Sequence, residues 1–252
     1  MSEPFSQCSD ENNASDAWLA LMVGNSRLHW AKFVGHSLES TWDVPHAAKA
    51  AIDRSPLLPL WMASVVPEQT QWQDYPNTHR IELAQIPLLG LYPTLGVDRA
   101  LAVWGAVQTR GAPVLVIDAG TALTFTGADA EARLVGGAIL PGLQLQMRSL
   151  HEHTAALPLL TLPDILPSRW GVATAEAMQS GVLYTLLAGL HDFIADWLQR
   201  WPQSAIVITG GDRLLLLKTF QQRFPQMAVS LQLDAHLIFW GIRAFRMHNQ
   251  VP

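Results

Sequence analysis

A chain of 252 residues with 49% hydrophobic content is long enough to bury one large core or two compact lobes. Its formal net charge of -5 supplies no basic field for nucleic acid or for an anionic membrane surface, which favours a small-molecule partner. The single cysteine, Cys8, allows no disulfide within one chain and favours a reducing compartment. We therefore expect a cytoplasmic globular protein with no nucleic acid and no membrane partner.

The N-terminal residues 1–16 are rich in Ser, Asn, Asp and Glu and lack the apolar centre of a signal peptide. We expect this tail to be disordered. The chain after it alternates strand and helix patterns, which predicts an α/β fold. The first part predicts, in order, a hairpin over residues 18–33, a strand around Trp42 and Val44, a short helix over 46–52, a strand over 61–67 and a further strand within 76–89.

The stretch 92–99, YPTLGVDR, leads directly into an apolar, Ala-rich helix over 100–109. Asp98 falls at or just before the first helical turn, where a carboxylate is favoured by the helix dipole. One interpretation is a simple N-cap with Arg99 as a solvated neighbour. The functional alternative is that Asp98 accepts a hydroxyl proton from an acceptor substrate while Arg99 binds an anionic group.

The stretch 114–127, VLVIDAGTALTFTG, predicts two strands joined by a tight turn that presents Asp118, Gly120 and Thr121. Gly120 lets the backbone approach an anion closely, and the Thr121 hydroxyl adds a donor. Asp118 would repel a phosphate unless it holds a cation beside it. The alternative is an ordinary Asp-Ala-Gly turn in a buried hairpin.

The same pattern occurs near the start of the chain, where Gly24 aligns with Gly120, Asn25 with Thr121 and Met22 with Asp118. Such a repeat predicts two similar subdomains that face each other across a nucleotide cleft. This plan resembles the acetate and sugar kinase, heat-shock 70 and actin superfamily, with its ribonuclease H-like subdomains. On that basis we expect a first subdomain over 17–110 and a second over 111–252.

The segment 135–142 precedes a predicted helix that ends at 150. The remaining patterns predict a long helix over 175–198, a strand from 206 that leads into a double glycine, and a helix over 237–245. His151 and His153 have no convincing third ligand nearby, so we interpret them as surface or loop residues.

Five motifs occur in the order SVVP, YPTLGVDR, DAGTALT, GGAILPG and TAALP, and together they resemble type III pantothenate kinase. The resemblance extends from about Trp18 to Phe245. It implies ATP-dependent phosphorylation of the primary hydroxyl of pantothenate, the first step towards coenzyme A. It also implies Mg²⁺, a monovalent cation that is K⁺ or NH4⁺, and a homodimer whose acceptor site is partly built by the neighbouring subunit.

The resemblance also implies roles for individual residues. Asp98 would be the catalytic proton acceptor, and Asp118 would hold the monovalent cation. The pantothenate pocket would be lined by Tyr92, Gly96, Val97, Asp98, Arg99 and Thr174. ATP would be bound by Thr121 and, from the first turn, by Met22, Val23, Gly24, Asn25, Ser26, Arg27, Leu28 and His29.

Two positions depart from the family pattern. Ala173 stands where the family usually has Asn, and Met22 stands where it has an Asp that helps to hold magnesium. Methionine is a weak ligand for Mg²⁺, so either the ATP phosphates, Asp118 and water hold the ion or activity is reduced. Arg27 could add compensating positive charge towards the phosphates.

Two alternatives therefore stay open beside the pantothenate kinase. One is a non-catalytic nucleotide-binding regulator on the same fold, which Met22 favours. The other is a kinase of the same superfamily for another small alcohol. The pair Asp98 and Arg99 favours an enzyme over a regulator.

Overall fold

The computed structural model describes residues 16–46, 57–66 and 75–250, and for residue 250 the backbone alone. The predicted disordered tail, apart from Asp16, and the predicted helix over 46–52, apart from His46, lie outside the described residues.

The first sheet has five strands in the order β3-β2-β1-β4-β5. β1 is antiparallel to β2 and parallel to β4, so it lies at the centre of the sheet. Its near-continuous apolar sequence fits this position because both of its faces are buried. The strands are β1 (Ala17–Val23), β2 (Arg27–Val34), β3 (Ser37–Pro45), β4 (Leu60–Ser64) and β5 (Thr78–Arg80).

The second sheet repeats this topology with five strands in the order β8-β7-β6-β9-β10. β6 is antiparallel to β7 and parallel to β9, just as β1 is to β2 and β4. The predicted repeat is thus present in the backbone. The strands are β6 (Val114–Ala119), β7 (Ala122–Ala128), β8 (Leu134–Pro141), β9 (Ala205–Thr209) and β10 (Leu231–Leu233).

Six α-helices and a short 3-10 helix over Leu83–Gln85 accompany the sheets in the described part of the chain. The helices predicted over 100–109, 175–198 and 237–245 are present, each somewhat longer than predicted. The bounds are α1 (Val97–Arg110), α2 (Leu143–Glu152), α3 (Thr174–Arg200), α4 (Arg213–Arg223), α5 (Pro225–Ala228) and α6 (Leu237–Gln250).

Two helices occupy equivalent places in the two halves, since α1 follows β5 and α6 follows β10. They pack directly on each other where Gly105 lies against the carbonyl of Leu237 and Gly241 lies against the carbonyl of Leu101. Glycine is required at this crossing because a Cβ on either residue would overlap the other helix's backbone. The crossing forms part of a core that also receives side chains from both sheets.

Within the described residues, none of the helices combines the length and apolar character that a bilayer crossing requires.

Candidate active site

The two glycine turns meet although they are far apart in the sequence. Ser26 Oγ in the first turn lies 3.0 Å from Thr121 Oγ1 in the second. Each turn is closed by its own backbone hydrogen bond, from Gly24 N to Arg27 O at 3.0 Å and from Gly120 N to Ala122 O at 3.2 Å. The two hairpins therefore present their tips to one shared site.

The first turn offers a ligand few side chains. Those of Asn25, Ser26 and Arg27 are exposed and that of His29 is partly exposed. The side chains of Met22, Val23 and Leu28 are buried in the core, so from these three predicted nucleotide-binding residues only the backbone can reach a ligand.

The second turn is packed closely by glycines from neighbouring segments. Gly210 has a φ of +89°, which favours glycine, and a Cβ there would overlap the Asp118 carboxylate and the backbone of Ala119. A Cβ on Gly142 would stand 2.7 Å from the Thr121 carbonyl oxygen. These close approaches explain why glycine follows β9 and why glycine precedes α2.

Asp98 and Asp118 share one site. The pKa of Asp118 is raised to about 7, mainly by burial and additionally by the negative charge of Asp98. Burial also raises the pKa of Asp98, although the Arg99 N–H and the Arg99 charge oppose that rise. The carboxyl groups at the start of α1 and at the end of β6 are therefore close enough to interact electrostatically.

Asp98 lies in the first turn of α1, and its Oδ1 accepts a hydrogen bond of 2.8 Å from Arg99 N. Gly96, in extended conformation, is the N-cap residue. The interpretation of Asp98 as a simple N-cap is therefore wrong. Gly96 is the cap residue, and Asp98 follows it by two residues.

Arg99 is buried, with only 9% of its surface exposed, so the interpretation of a solvated neighbour is wrong. Its Nε donates to Thr126 Oγ1 at 3.0 Å, and its guanidinium also donates to Tyr92 Oη at 3.2 Å and to the Phe125 carbonyl at 3.3 Å. These bonds fix the guanidinium against β7 and connect the stretch 92–99 to the second sheet.

The sequence profile of type III pantothenate kinase matches residues 18–196. A type III pantothenate kinase from Nostoc sp. is 49% identical over 256 aligned positions, covering 90% of this chain and 93% of the relative. The chain belongs to the type III pantothenate kinase family. The predicted family, the kinase activity and the ATP-dependent phosphorylation of pantothenate that it implies are thereby confirmed.

Solved structures agree on the fold. A Campylobacter jejuni protein described as a Baf family transcriptional activator has a TM-score of 0.63 at 21% identity, covering 92% of this chain and 98% of its own. The Clostridium difficile activator of 2-hydroxyisocaproyl-CoA dehydratase, solved with bound ADPNP, has a TM-score of 0.52 at 8% identity, covering 93% and 96%. At these identities only the fold is comparable, and the predicted duplicated α/β class is confirmed.

Thr174, another of the predicted substrate-binding residues of this kinase, lies beside a cavity. It is the first residue of α3 and lines a cavity of about 590 Å³ between α2 and α3. The lining residues are Gln146, Leu150, Leu157, Thr174, Ala177, Met178, Gly181, Val182 and Thr185, none of which belongs to the group at Asp98.

The described residues contain no group of three or more His, Cys, Asp or Glu side chains that could hold a metal ion. His151 Nδ1 lies 2.8 Å from the Leu157 carbonyl oxygen, which places this ring in a loop contact. Among the described residues, Asp118 is a candidate to bind a cation, because burial and the negative charge of Asp98 both raise the pKa of its carboxyl group and a cation beside it would offset that rise.

Several residues that shape the site were not predicted. Thr126 anchors Arg99, Asp43 bonds to His29, and His46 Nε2 lies 2.8 Å from the Gly24 carbonyl oxygen. Each contact joins residues from different strands or loops, so only the strand register could have revealed it.

Proposed function

We propose that this kinase holds the ATP phosphates between the two turns and transfers the γ-phosphoryl group to the primary hydroxyl of pantothenate placed at Asp98. The observation that carries the proposal is the contact of 3.0 Å between Ser26 Oγ and Thr121 Oγ1. Asp118 precedes Thr121 by three residues and interacts electrostatically with Asp98. Phosphoryl transfer needs mainly positioning, charge neutralisation and a group that orients the nucleophile, and these residues supply all three.

Asp98 accepts the hydroxyl proton as the phosphoryl group moves. Its raised pKa suits this role, because a carboxylate that binds protons more tightly is a stronger base. Arg99 lies immediately beside it and is fixed by Thr126 and Tyr92, so its charge can orient an anionic acceptor such as pantothenate. Gly96 and Val97 would line the same pocket.

Asp118 would hold the monovalent cation, K⁺ or NH4⁺, which neutralises the phosphates when it is bound. Magnesium would be held chiefly by the ATP phosphates and water, since Met22 offers no carboxylate and Mg²⁺ keeps much of its water shell. Thr121, Gly24, Asn25 and the other predicted residues of the first turn would contact the phosphates on either side.

A homodimer would complete the acceptor site. Thr174 would contribute to the acceptor site from the cavity between α2 and α3 that it lines. The loop before it exposes 84% of Trp170 and 98% of Val172, two large apolar side chains at the rim of the same region. Exposed apolar side chains of this size favour a protein interface.

Two further parts of the proposal concern the domain organisation and the location of the protein. The two lobes would be residues 17–110 and 111–252, although α6 packs on α1 and on β1 of the first half. The protein would act in the cytoplasm, without nucleic acid or membrane partners, as its net charge of -5 favours.

The test is an assay of ADP release with Mg²⁺ and K⁺, in which pantothenate is compared with a panel of small alcohols. We expect turnover with pantothenate and a clear requirement for the monovalent ion. Turnover with another alcohol only would select the alternative kinase. Nucleotide binding without turnover on any alcohol would favour the regulator, which the buried Met22 in the place of an acidic residue supports.

A further inference from the structure

The motif GGAILPG over 136–142 forms most of β8, which is an edge strand of the second sheet. Exposed and partly or fully buried positions alternate along this strand. The exposed positions carry no polar side chain, since they are Val135, Gly137, Ile139 and Pro141. Large apolar side chains on an exposed strand edge are unfavourable in water and indicate a surface that something covers.

The strand register places Ile139 in one row with Asp118. Asp118 on β6 pairs with Thr124 on β7, and Thr124 pairs with Ile139 on β8. Because directly paired residues of an antiparallel sheet point to the same face, the three side chains lie side by side. Asp118 also interacts electrostatically with Asp98. The row therefore extends from the carboxyl groups of the site to an apolar side chain that is 64% exposed.

The adjacent row on the same face holds the positive charge of Arg99. Thr126 pairs with Gly137, and the Arg99 guanidinium donates to the Thr126 hydroxyl. A Cβ on Gly137 would stand 2.6 Å from Arg99 Nη2, so the guanidinium lies beside this glycine. The three hydrogen bonds of the guanidinium go to two hydroxyls and a carbonyl, which leaves its charge able to attract an anionic ligand. Gly137 and Ile139 are about 7 Å apart along the strand.

We propose that Ile139 determines acceptor specificity by packing against the branched apolar carbon beside the reacting hydroxyl. The inference rests on the proposed function, because it requires the acceptor hydroxyl to lie at Asp98. In pantothenate a CH2 group joins the primary hydroxyl to the carbon that bears both methyl groups, and the carboxylate lies at the opposite end of the molecule. The face offers matching groups in Ile139 and in the Arg99 guanidinium. A bound acceptor of this shape would remove Ile139 from water.

Ile139→Ala removes most of the apolar surface that the methyl groups would contact. We expect kcat/KM for pantothenate to fall about tenfold, mainly through KM, because this contact is made equally in the ground state and in the transition state. Ile139→Thr keeps the branched Cβ and the strand preference, but its hydroxyl packs poorly on methyl groups, so we expect a similar loss. The KM for ATP should stay within about twofold of wild type in both variants.

The decisive measurement compares pantothenate with the analogue in which hydrogen atoms replace both methyl groups. The wild-type enzyme should prefer pantothenate. Ile139→Ala should lose most of this preference, since its kcat/KM for the analogue should change by less than about threefold. A general distortion of β8 would lower kcat/KM equally for both acceptors, so equal losses would contradict the proposal.

The matched control is Val135→Ala on the same strand. Val135 is 44% exposed and lies where the register between β7 and β8 shifts, so it has no directly paired residue on β7. We expect wild-type kinetics with both acceptors. The oligomeric state of Ile139→Ala, measured by sedimentation, should match that of wild type. Dissociation combined with equal losses on both acceptors would show that a second copy of the chain covers Ile139, which also contradicts the proposal.

The outcomes separate this inference from the proposed function. A wild-type protein that does not phosphorylate pantothenate, or an Asp98→Asn variant that retains wild-type kcat, would overturn the proposed function and with it the role of Ile139. A wild-type enzyme that depends on Asp98, combined with Ile139→Ala and Ile139→Thr variants that keep the wild-type preference for pantothenate, would overturn only the role of Ile139.

Discussion

The turn after β1 and the turn after β6 occupy the same place in two sheets of the same strand order, yet they have different chemistry. The residue two positions before the glycine is the buried Met22 in the first turn and the carboxyl-bearing Asp118 in the second. The first turn instead borders the His29–Asp43 pair, and its exposed side chains include Arg27. The two turns thus share a backbone position, while of the two residues that precede the glycines by two positions only Asp118 carries a carboxyl group.

This difference suggests a division of labour between the halves. In the proposed reaction, Asp118 in the second turn and the neighbouring Asp98 would act on the cation and the acceptor hydroxyl. The first turn would hold the phosphates through backbone N–H groups, a hydroxyl and the positive charge of Arg27. A substitution should therefore affect acceptor chemistry or nucleotide affinity according to the turn that it touches.

The largest effect is expected for Asp98→Asn. The amide cannot accept the hydroxyl proton, so kcat should fall by roughly 10²–10⁴-fold. ATP affinity, which depends on the two turns, should stay within about twofold of wild type. ADP release and equilibrium ATP binding measure the two quantities separately. A variant that retains wild-type kcat would remove Asp98 from the chemistry.

The packing between the halves is tested by Gly105→Ala in α1. A Cβ at Gly105 would overlap the Leu237 carbonyl of α6, so we expect a loss of about 1–3 kcal/mol in the free energy of unfolding. The matched control is Gly189→Ala in the middle of α3, where a Cβ meets no atom within 4 Å. There the alanine should stabilise the protein by about 0.5–1 kcal/mol through its helix propensity. Denaturant unfolding compares them, and equal effects would contradict the close crossing of α1 and α6.

The carboxylate of the second turn is tested by the pH dependence of stability. Burial raises the folded pKa of Asp118 from 3.8 to about 7, so its contribution to stability is fully present below pH 3.8 and is lost as the pH rises through about 7. Asp118→Asn removes this loss because the amide does not ionise. At pH 8.5 without K⁺ the variant should melt roughly 3–8 °C higher than wild type, whereas at pH 5 the two should melt within about 2 °C.

A bound cation should reduce the difference in melting temperature between the wild-type protein and Asp118→Asn at pH 8.5. If Asp118 holds K⁺, adding the ion at pH 8.5 should raise the melting temperature of the wild-type protein and leave Asp118→Asn unchanged, with Na⁺ as the control for ionic strength. A wild-type protein that melts at the same temperature at pH 5 and pH 8.5 would contradict the buried, uncompensated carboxyl.

Local patterns were sufficient to predict most of the fold. The apolar runs on either side of Gly120 and of Gly24 identified both hairpins, and the Ala-rich run after Asp98 identified α1. These features depend on neighbouring residues, whose periodicity is visible in the sequence. The predicted repeat held for the same reason, because each half carries its own copy of the strand, glycine turn and strand.

The contacts that define the site were less accessible to sequence reasoning. The bond from Arg99 to Thr126 and the pair of His29 with Asp43 depend on which strands are adjacent and in what register. A shift of one residue in that register would turn His29 and Asp43 to opposite faces of the sheet. Thr174 was expected just before the long helix and is its first residue, but the cavity that it lines depends on how α3 packs against α2, which no local pattern encodes.

The smallest effect is expected for Arg27→Ala in the first turn. Arg27 is exposed, and a solvent-screened charge contributes little, so the KM for ATP should rise only about threefold while kcat and the KM for pantothenate stay constant. The rise should shrink in high salt, because screening already removes much of the attraction in the wild-type enzyme. Arg80→Ala on β5 is the control, since that guanidinium pairs with Glu82 at 2.8 Å and should leave the ATP dependence unchanged. An Arg27→Ala enzyme with wild-type KM at low salt would show that the charge of Arg27 does not contribute to ATP binding.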